Sequence, residues 1–173
     1  MSTRACYTFT DSQGEFHVYK HHDGYPYAGG VHNINSFGEA YEGGALVWIN
    51  NAKKFAWDLP RFEADEFAAS FVAANKQVEG GCRLINKTNP WEFSGDSQYW
   101  YKVKVAVPAL DVWKEAGGLA LDVWVDVYRV DWWGELAYKD KEPKNELIMS
   151  GALSELLTSE RARKHAEISN EVA

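Results

Sequence analysis

The chain has 173 residues, a net charge of −7, 46% hydrophobic residues and 14% aromatic residues. This composition excludes a disordered chain, because disordered segments lack the apolar groups that offset the entropy of ordering. The length suits a single globular domain, residues 1–173, that buries its own core. The negative charge argues against a protein that binds by neutralising phosphates, so we do not expect a nucleic-acid partner.

The cysteines and the apolar runs indicate the compartment. Cys6 and Cys82 are the two cysteines of the chain, and their wide separation does not resemble a disulfide framework. Two buried, reduced thiols are typical of a cytosolic protein. The first residues lack the apolar stretch of a signal peptide, and no apolar run approaches the ~20 residues that span a membrane. We therefore expect a cytoplasmic protein without a membrane partner.

The N-terminal segment has the pattern of a β-hairpin. Residues 4–10 and 15–22 alternate and are rich in strand-forming residues, and residues 11–14 form a turn in which Gly14 can take a positive φ. Residues 23–26 end the second strand, because Gly24 frees the backbone and proline at position 26 removes a donor from the ladder.

Two helices follow. A weak pattern predicts the first over residues 45–56, and a clear 3.6-residue period predicts the second over 59–77. Asp58 is the expected cap of the second helix, and the glycines at 80 and 81 are its expected stop. The phenylalanines of this helix fall on one stripe, which indicates a core face.

The remaining pattern is mostly strand. Short strands are expected at 82–86 and 146–150, longer strands at 98–107 and 120–131, and a final helix at 152–166. The whole pattern predicts an α+β fold, with an antiparallel sheet of about five to six strands and two or three helices packed on one face.

The two longer strands place unlike residues on one face. Antiparallel pairing brings Lys102 and Lys104 to the same side as Asp122 and Asp126, together with the tryptophans Trp100 and Trp124. The simpler interpretation is a solvated sheet surface. The sharper one is a protein-binding platform, because exposed tryptophan beside charge is favoured at interfaces.

Four of the five histidines (His17, His21, His22 and His32) fall in one stretch of the sequence that also contains Asp23. Such a density suggests a metal or acid–base centre. Strand geometry argues against it, because His17 and His21 would lie ~13 Å apart on one face while His22 points to the other. A metal would need His21 or His22 together with Asp23 and a distant partner such as His32. We therefore assign neither metal ligands nor catalytic residues.

The motifs of common enzymes are missing from the sequence. The glycine pairs lack the spacing of a phosphate-binding loop, and no nucleophile lies at a recognisable elbow or helix start. Cys6 lies inside an amphipathic strand, where a cysteine usually packs. We expect no cofactor, and we favour a non-enzymatic function.

Residues 18–26 read Val-Tyr-Lys-His-His-Asp-Gly-Tyr-Pro and follow a Thr-Arg dipeptide, an aromatic strand and a turn with Gly14. This region resembles a family of small uncharacterised proteins of phages, prophages and other mobile elements. Many of its members have Trp where this chain has His22. Residues 56–68 look like segments of phage-associated relatives, and residues 99–103 are a looser match. The resemblance implies a viral or prophage accessory protein in the bacterial cytosol, and the variable position indicates that His22 is not an obligatory catalyst.

Three functions follow as hypotheses. The first is a phage or prophage protein that binds a bacterial host protein, such as a component of host defence. The second is a metal-dependent hydrolase or nuclease that uses the histidine and aspartate cluster. The third is a ligand-sequestering or minor virion protein. Assembly with copies of itself stays open as well. The candidate binding residues are His21, His22, Asp23, Tyr25, Trp100, Asp122, Trp124 and Asp126.

Overall fold

A six-stranded sheet lies at the centre of the part of the chain that the structure describes. The computed structural model describes residues 3–22, 24–27, 44–55, 63–76, 81–86, 97–104, 123–131 and 144–158. The strands are β1 (Ala5–Thr10), β2 (Glu15–Lys20), β3 (Cys82–Ile85), β4 (Tyr99–Lys104), β5 (Trp124–Asp131) and β6 (Lys144–Ala152). The helices are α1 (Ala45–Phe55), α2 (Ala64–Asn75) and α3 (Leu153–Thr158). The predicted α+β fold is confirmed. The predicted extension of the last helix to residue 166 lies outside the described residues.

The strand order β3-β2-β1-β4-β5-β6 places the N-terminal hairpin beside the long strands. The described pairs are antiparallel except β1 and β4, which run parallel with Tyr7 beside Tyr101. The sheet is therefore mostly antiparallel, as predicted, and contains one parallel pair. The chain makes β2, α1, α2 and β3 before it reaches β4, and a long connection of this kind can bring a strand back in the parallel sense.

The predicted hairpin of β1 and β2 is confirmed, but Gly14 is not the reason for its turn. The glycines with positive φ in the described ranges are Gly44 and Gly81. The Asp11 carboxylate closes the turn instead, because its Oδ1 accepts the amides of Gln13 at 2.7 Å and of Gly14 at 3.1 Å. A short polar side chain that bonds the backbone just after it is a common way to fix such a turn.

The same aspartate caps helix α2. Glu63 has extended backbone angles and provides no side-chain cap, so the helix begins at Ala64 and not at the predicted residue 59. Asp11 Oδ2 accepts the Ala64 amide at 2.8 Å. This bond, followed by those from Gln13 and Gly14, lowers the pKa of Asp11. One side chain from the hairpin therefore does the capping expected of Asp58, which lies outside the described residues.

The main core lies between the helices and one face of the sheet, which we call the first face. The ring of Tyr7 stacks on Tyr101 at 5.0 Å and meets Phe71 at 4.5 Å, while Phe9 lies 5.4 Å from both Phe67 and Phe71. All of these side chains are fully buried. Each contributes about 1.5–3 kcal/mol by leaving water, so this layer supplies much of the folding free energy.

The opposite or second face carries a smaller buried cluster. Its buried apolar members are Cys6, Tyr19, Ile85, Trp100 and Val130, and partly buried Tyr128 packs against them. In the described part of the chain these residues all come from strands or their ends. Cys6 pairs with Tyr19 and Cys82 with Lys20, so the two cysteines point to opposite faces. Both are buried free thiols, as predicted.

Within the described ranges, none of the helices has the length and hydropathy needed to cross a lipid bilayer.

Candidate functional site

The Gly24–Tyr27 turn connects several elements of the fold. The Gly24 amide donates to the Thr3 carbonyl at 2.9 Å, and the Gly24 carbonyl accepts the Tyr101 hydroxyl at 2.5 Å. A Cβ at this position would lie 2.8 Å from both Ala5 Cβ and Thr3 O. Glycine is needed here because β1 approaches the turn so closely, and not for the backbone freedom that the sequence suggested.

The next residues of this turn start helix α1. The carbonyls of Tyr25 and Pro26 accept the amides of Ala45 at 2.7 Å and Leu46 at 3.3 Å. These are donors that a helix N-terminus leaves without intrahelical partners. Tyr27 donates its hydroxyl to the Leu156 carbonyl of α3 at 2.7 Å. The turn therefore has a structural role, and Tyr25 is the exposed side chain in it.

The predicted site residues His21 and His22 lie together at the end of β2. Arg4 Nε lies 3.2 Å from His21 Nδ1, the Tyr19 hydroxyl lies 2.7 Å from the same nitrogen, and the His22 ring meets the His21 ring edge-on at 4.7 Å. Burial is the main cause that lowers the pKa of His21, and the charges of Arg4, His22 and Arg83 lower it further. His21 is therefore neutral near pH 7.

The other histidine that the structure describes lies elsewhere. His17 is buried on the second face, where its Nδ1 lies 2.7 Å from Thr8 Oγ1. Within the described ranges, no three side chains of the kinds that bind metals come together. Asp23 and His32, which the metal hypothesis requires, lie outside the described residues, as does Asp122. The hypothesis stays a prediction.

Trp124 and Asp126 form a polar surface at the other end of the second face. Asp126 Oδ1 accepts the Trp124 indole N–H at 3.0 Å and the Ser150 hydroxyl at 2.5 Å, and Lys104 Nζ lies 3.5 Å from Oδ2. Burial acts to raise the pKa of Asp126, but the Ser150 and Trp124 hydrogen bonds and the Lys104 charge outweigh it and lower the pKa. The Trp124 ring is held in place while 48% of the residue remains exposed.

Trp100 does not belong to that exposed surface. The predicted pairing is confirmed, since Trp100 faces Tyr128 and Lys102 faces Asp126. Trp100 is nevertheless only 8% exposed, and its indole donates to Thr8 Oγ1 at 2.8 Å. A binding platform that presents both tryptophans is therefore wrong, because Trp100 packs into the second-face cluster.

Sequence reasoning missed a groove between helix α2 and strand β3. It has a volume of about 1020 Å³ and is lined by apolar side chains of β2, α2 and β3, with charged groups at its ends. Phe16 is 43% and Leu84 72% exposed here. The lining of the groove includes Glu15, Phe16, Asp65, Val72, Lys76 and Leu84.

Strand alternation in the sequence contained a signal for this groove, but it did not distinguish a buried residue from an exposed one. Leu84 pairs with Val18, so strand alternation places both on the first face. Val18 is fully buried, whereas Leu84 is largely exposed, because β3 is the last strand of the described sheet on this side. Alternation identifies a face of the sheet, but it does not show where the covering helix ends.

Cys6 has the properties of a packing residue. Its Sγ lies 3.2 Å from Ser97 Oγ, and burial raises the pKa of the thiol to about 11 despite the opposing effect of this hydrogen bond. Because the thiolate is the nucleophilic form, a buried thiol with this pKa is inert near pH 7.

In comparisons with known proteins, no family model, no curated protein and no solved structure matches this chain.

Proposed function

We propose that this protein is a phage or prophage accessory protein that acts in the bacterial cytosol by binding a host protein, such as a component of host defence. The viral setting rests on the resemblance of residues 18–26 and 56–68 to phage-associated proteins. Binding as the mode of action rests on the groove between α2 and β3, which is the observation that carries the proposal.

The groove exposes apolar surface in one place. Phe16 and Leu84 are two of the five large apolar residues exposed in the described ranges, and both line it. Single exposed apolar side chains are ordinary, but a contiguous patch marks a binding surface. Val72 of α2 continues the apolar lining between the two strands and the helix.

The geometry of this surface suits an extended segment of the partner. Strand β3 ends the described sheet, so a segment running beside it can bond its backbone and place alternate side chains in the groove. Glu15 and Asp65 lie near the start of β2 and α2, whereas Lys76 follows the end of α2. The matching partner segment carries apolar residues with a basic residue at the Glu15 end.

The test compares the groove with the Trp124 surface. Wild type, Leu84→Glu and Trp124→Ser are used to capture proteins from host lysate, and the captured protein is then purified and titrated by calorimetry. We expect Leu84→Glu to weaken binding by about tenfold or more, because a central apolar contact is replaced by a charge. Trp124→Ser is the matched control, since it also changes one exposed apolar side chain.

The possible outcomes distinguish an error in the position of the interface from an error in the proposal of protein binding. Binding lost with Trp124→Ser and kept with Leu84→Glu would transfer the interface to the Trp124 surface. Capture of the same proteins by all three forms, with equal affinity for the purified partner, would contradict the proposal for both surfaces.

The volume of the groove also favours a second function, the sequestration of a small apolar ligand. Ligand pockets usually enclose about 300–1000 Å³ and have a few polar groups among apolar ones. Native mass spectrometry of protein from infected cells tests this function. If the groove sequesters a ligand, the wild-type protein should carry a stoichiometric mass adduct that is absent from Leu84→Glu. Wild-type protein without such an adduct would contradict this function.

A further inference from the structure

The half-exposed ring of Trp124 lies on the second face of the sheet with its polar edge already bonded. Its indole N–H lies 3.0 Å from Asp126 Oδ1 and 3.1 Å from Ser150 Oγ. Since that edge is satisfied, the exposed 48% of the residue is mainly apolar surface. No aromatic ring or ammonium group of the described residues lies over the Trp124 ring. The protein therefore holds a flat aromatic surface in a fixed position and leaves it open.

Asp126 organises the groups around this ring. It is only 9% exposed, and its Oδ1 accepts both the Trp124 indole and the Ser150 hydroxyl. Its Oδ2 lies 3.5 Å from Lys104 Nζ. The protein itself thus supplies the partners of the buried carboxylate, as a buried charge requires. Asp126 positions the ring, the hydroxyl and the ammonium group, and we do not assign it a direct contact with a ligand.

Two exposed polar groups remain for a ligand, one on each side of β5. Lys104 of β4 lies directly opposite Trp124, and Ser150 of β6 lies directly opposite Asp126. The Lys104 side chain is 57% exposed, and its ammonium group has N–H donors to spare beyond the one that faces Asp126. Ser150 is exposed, and its oxygen keeps one lone pair after accepting the indole N–H. The ring therefore lies between a donor and an acceptor.

The charges around the ring favour a neutral ligand. A cation would meet the exposed ammonium group of Lys104, and the carboxylate that could attract it is buried. An anion gains little from Lys104, because Asp126 offsets its charge and the whole chain carries a net charge of −7. The remaining class is a neutral molecule that has one apolar face and hydroxyl groups at its edge.

We propose that the surface formed by Trp124, Lys104 and Ser150 binds one pyranose ring of a neutral saccharide. A pyranose with equatorial hydroxyls, such as glucose, presents only C–H groups on the face of its ring. These groups pack on the electron-rich face of the indole. A hydroxyl at the sugar edge accepts from Lys104, and another donates to Ser150.

This site is separate from the groove. Strands β2, β1 and β4 lie between β5 and the β3 strand that lines the groove, and Leu84 of the groove lies on the first face. The saccharide proposal therefore does not depend on the proposed protein binding.

The experiment titrates the full-length protein with cellotetraose, an unbranched oligosaccharide of glucose, and follows the indole ¹H–¹⁵N signals by NMR. The Trp124 signal is the one that Trp124→Ser lacks. We expect cellotetraose to shift this signal and to leave that of Trp100, which is only 8% exposed, in place. Sorbitol is the control ligand, because it carries the hydroxyls of a hexose without a ring that can stack. We expect it to leave the Trp124 signal unchanged.

Two variants locate the site, and saturation-transfer NMR measures weak binding on the sugar signals. Trp124→Ser should weaken cellotetraose binding by about tenfold or more, because it removes the stacking face. Leu147→Ser is the matched control and should bind as wild type does. Leu147 is 52% exposed on the same face, but it lies opposite Tyr128, roughly 13 Å along β5 from Trp124.

Several results would overturn the proposal. One is a Trp124 signal in the wild-type protein that cellotetraose leaves unchanged, or that sorbitol shifts as much. Another is an equal loss of binding in Trp124→Ser and Leu147→Ser, because that result describes general apolar adhesion and no defined site. A third is tighter binding of the uncharged nucleoside adenosine at Trp124, which would assign the surface to a stacked base and not to a saccharide.

Discussion

Two tryptophans on the second face have similar hydrogen bonds but very different surroundings. Trp100 donates its indole N–H to Thr8, and Trp124 donates to Asp126 and also to Ser150 at 3.1 Å. Trp100 is buried among strand residues, with Lys102 Nζ over its ring at 4.3 Å, whereas Trp124 is half exposed. The same alternating pattern on paired strands therefore produced a core residue in one place and a surface residue in the other.

The hydrogen bond of the indole N–H has a different consequence at the buried ring and at the exposed ring. At Trp100 the hydrogen bond satisfies a polar group that has left water, so the ring can be buried without a large penalty. At Trp124 the bonds hold an exposed ring in one orientation, which lowers the entropy that a binding partner must overcome. The first arrangement contributes to folding, and the second prepares a surface.

The largest expected effect on stability comes from removing the buried Trp100 ring. We expect Trp100→Ala to reduce the free energy of unfolding by about 3–5 kcal/mol, because it leaves a cavity in the second-face cluster. Trp124→Ala should cost less than about 1 kcal/mol, as is usual for an exposed site. Urea unfolding of both variants measures the two values, and equal losses would break the comparison.

Removing the acceptors should produce the same contrast on a smaller scale. Thr8→Val takes away the acceptor of the buried Trp100 indole and a contact of His17, so we expect a loss of about 2 kcal/mol in the same assay. Ser150→Ala leaves Asp126 bonded to Trp124 and close to Lys104, and should cost about 0.5 kcal/mol. A larger loss for the serine variant would show that the exposed cluster is the more important of the two.

The pH dependence of stability sharpens the comparison at Asp126. Its pKa is lowered in the folded protein, so the carboxylate stabilises the fold above the unfolded pKa of about 3.9. This contribution is lost as the pH falls through the lower folded pKa. Wild type should therefore exceed Asp126→Asn in stability near pH 7, and the difference should vanish in acid. A difference that stays constant with pH would contradict the assignment.

The smallest effect on stability is expected for Lys104, the cation that lies beside Asp126. The Lys104 side chain is exposed and lies 3.5 Å from Asp126, so the pair is screened by water and salt. We expect Lys104→Gln to cost less than about 0.5 kcal/mol at low salt, and nothing measurable at high salt. Thermal unfolding at the two salt concentrations tests this, and a salt-independent loss would show that Lys104 acts through packing.

Much of the fold could be read from the sequence because it depends on local periodicity. The faces of β4 and β5, the hairpin of β1 and β2 and the position of α1 follow from alternation or helical spacing, and all three predictions are confirmed. The start of α2 could not be predicted in this way. Its cap is Asp11, which lies 53 residues earlier in the chain, so no local pattern near Ala64 indicates it.

The candidate sites also contain some features that the sequence predicted and others that it did not. Tyr25 and Trp124 are exposed as a binding role requires, whereas Trp100 is buried and the groove beside Leu84 was missed.

The sequence by itself determined most of the strands and helices, though not the start of α2, and the side of each strand that a residue occupies, since these are properties of a few neighbouring residues. Only the tertiary structure decided how deeply each residue on a face is buried, because burial depends on what packs across from it. Trp100 and Trp124 share a face by periodicity, and they differ because other parts of the chain cover one and leave the other in water.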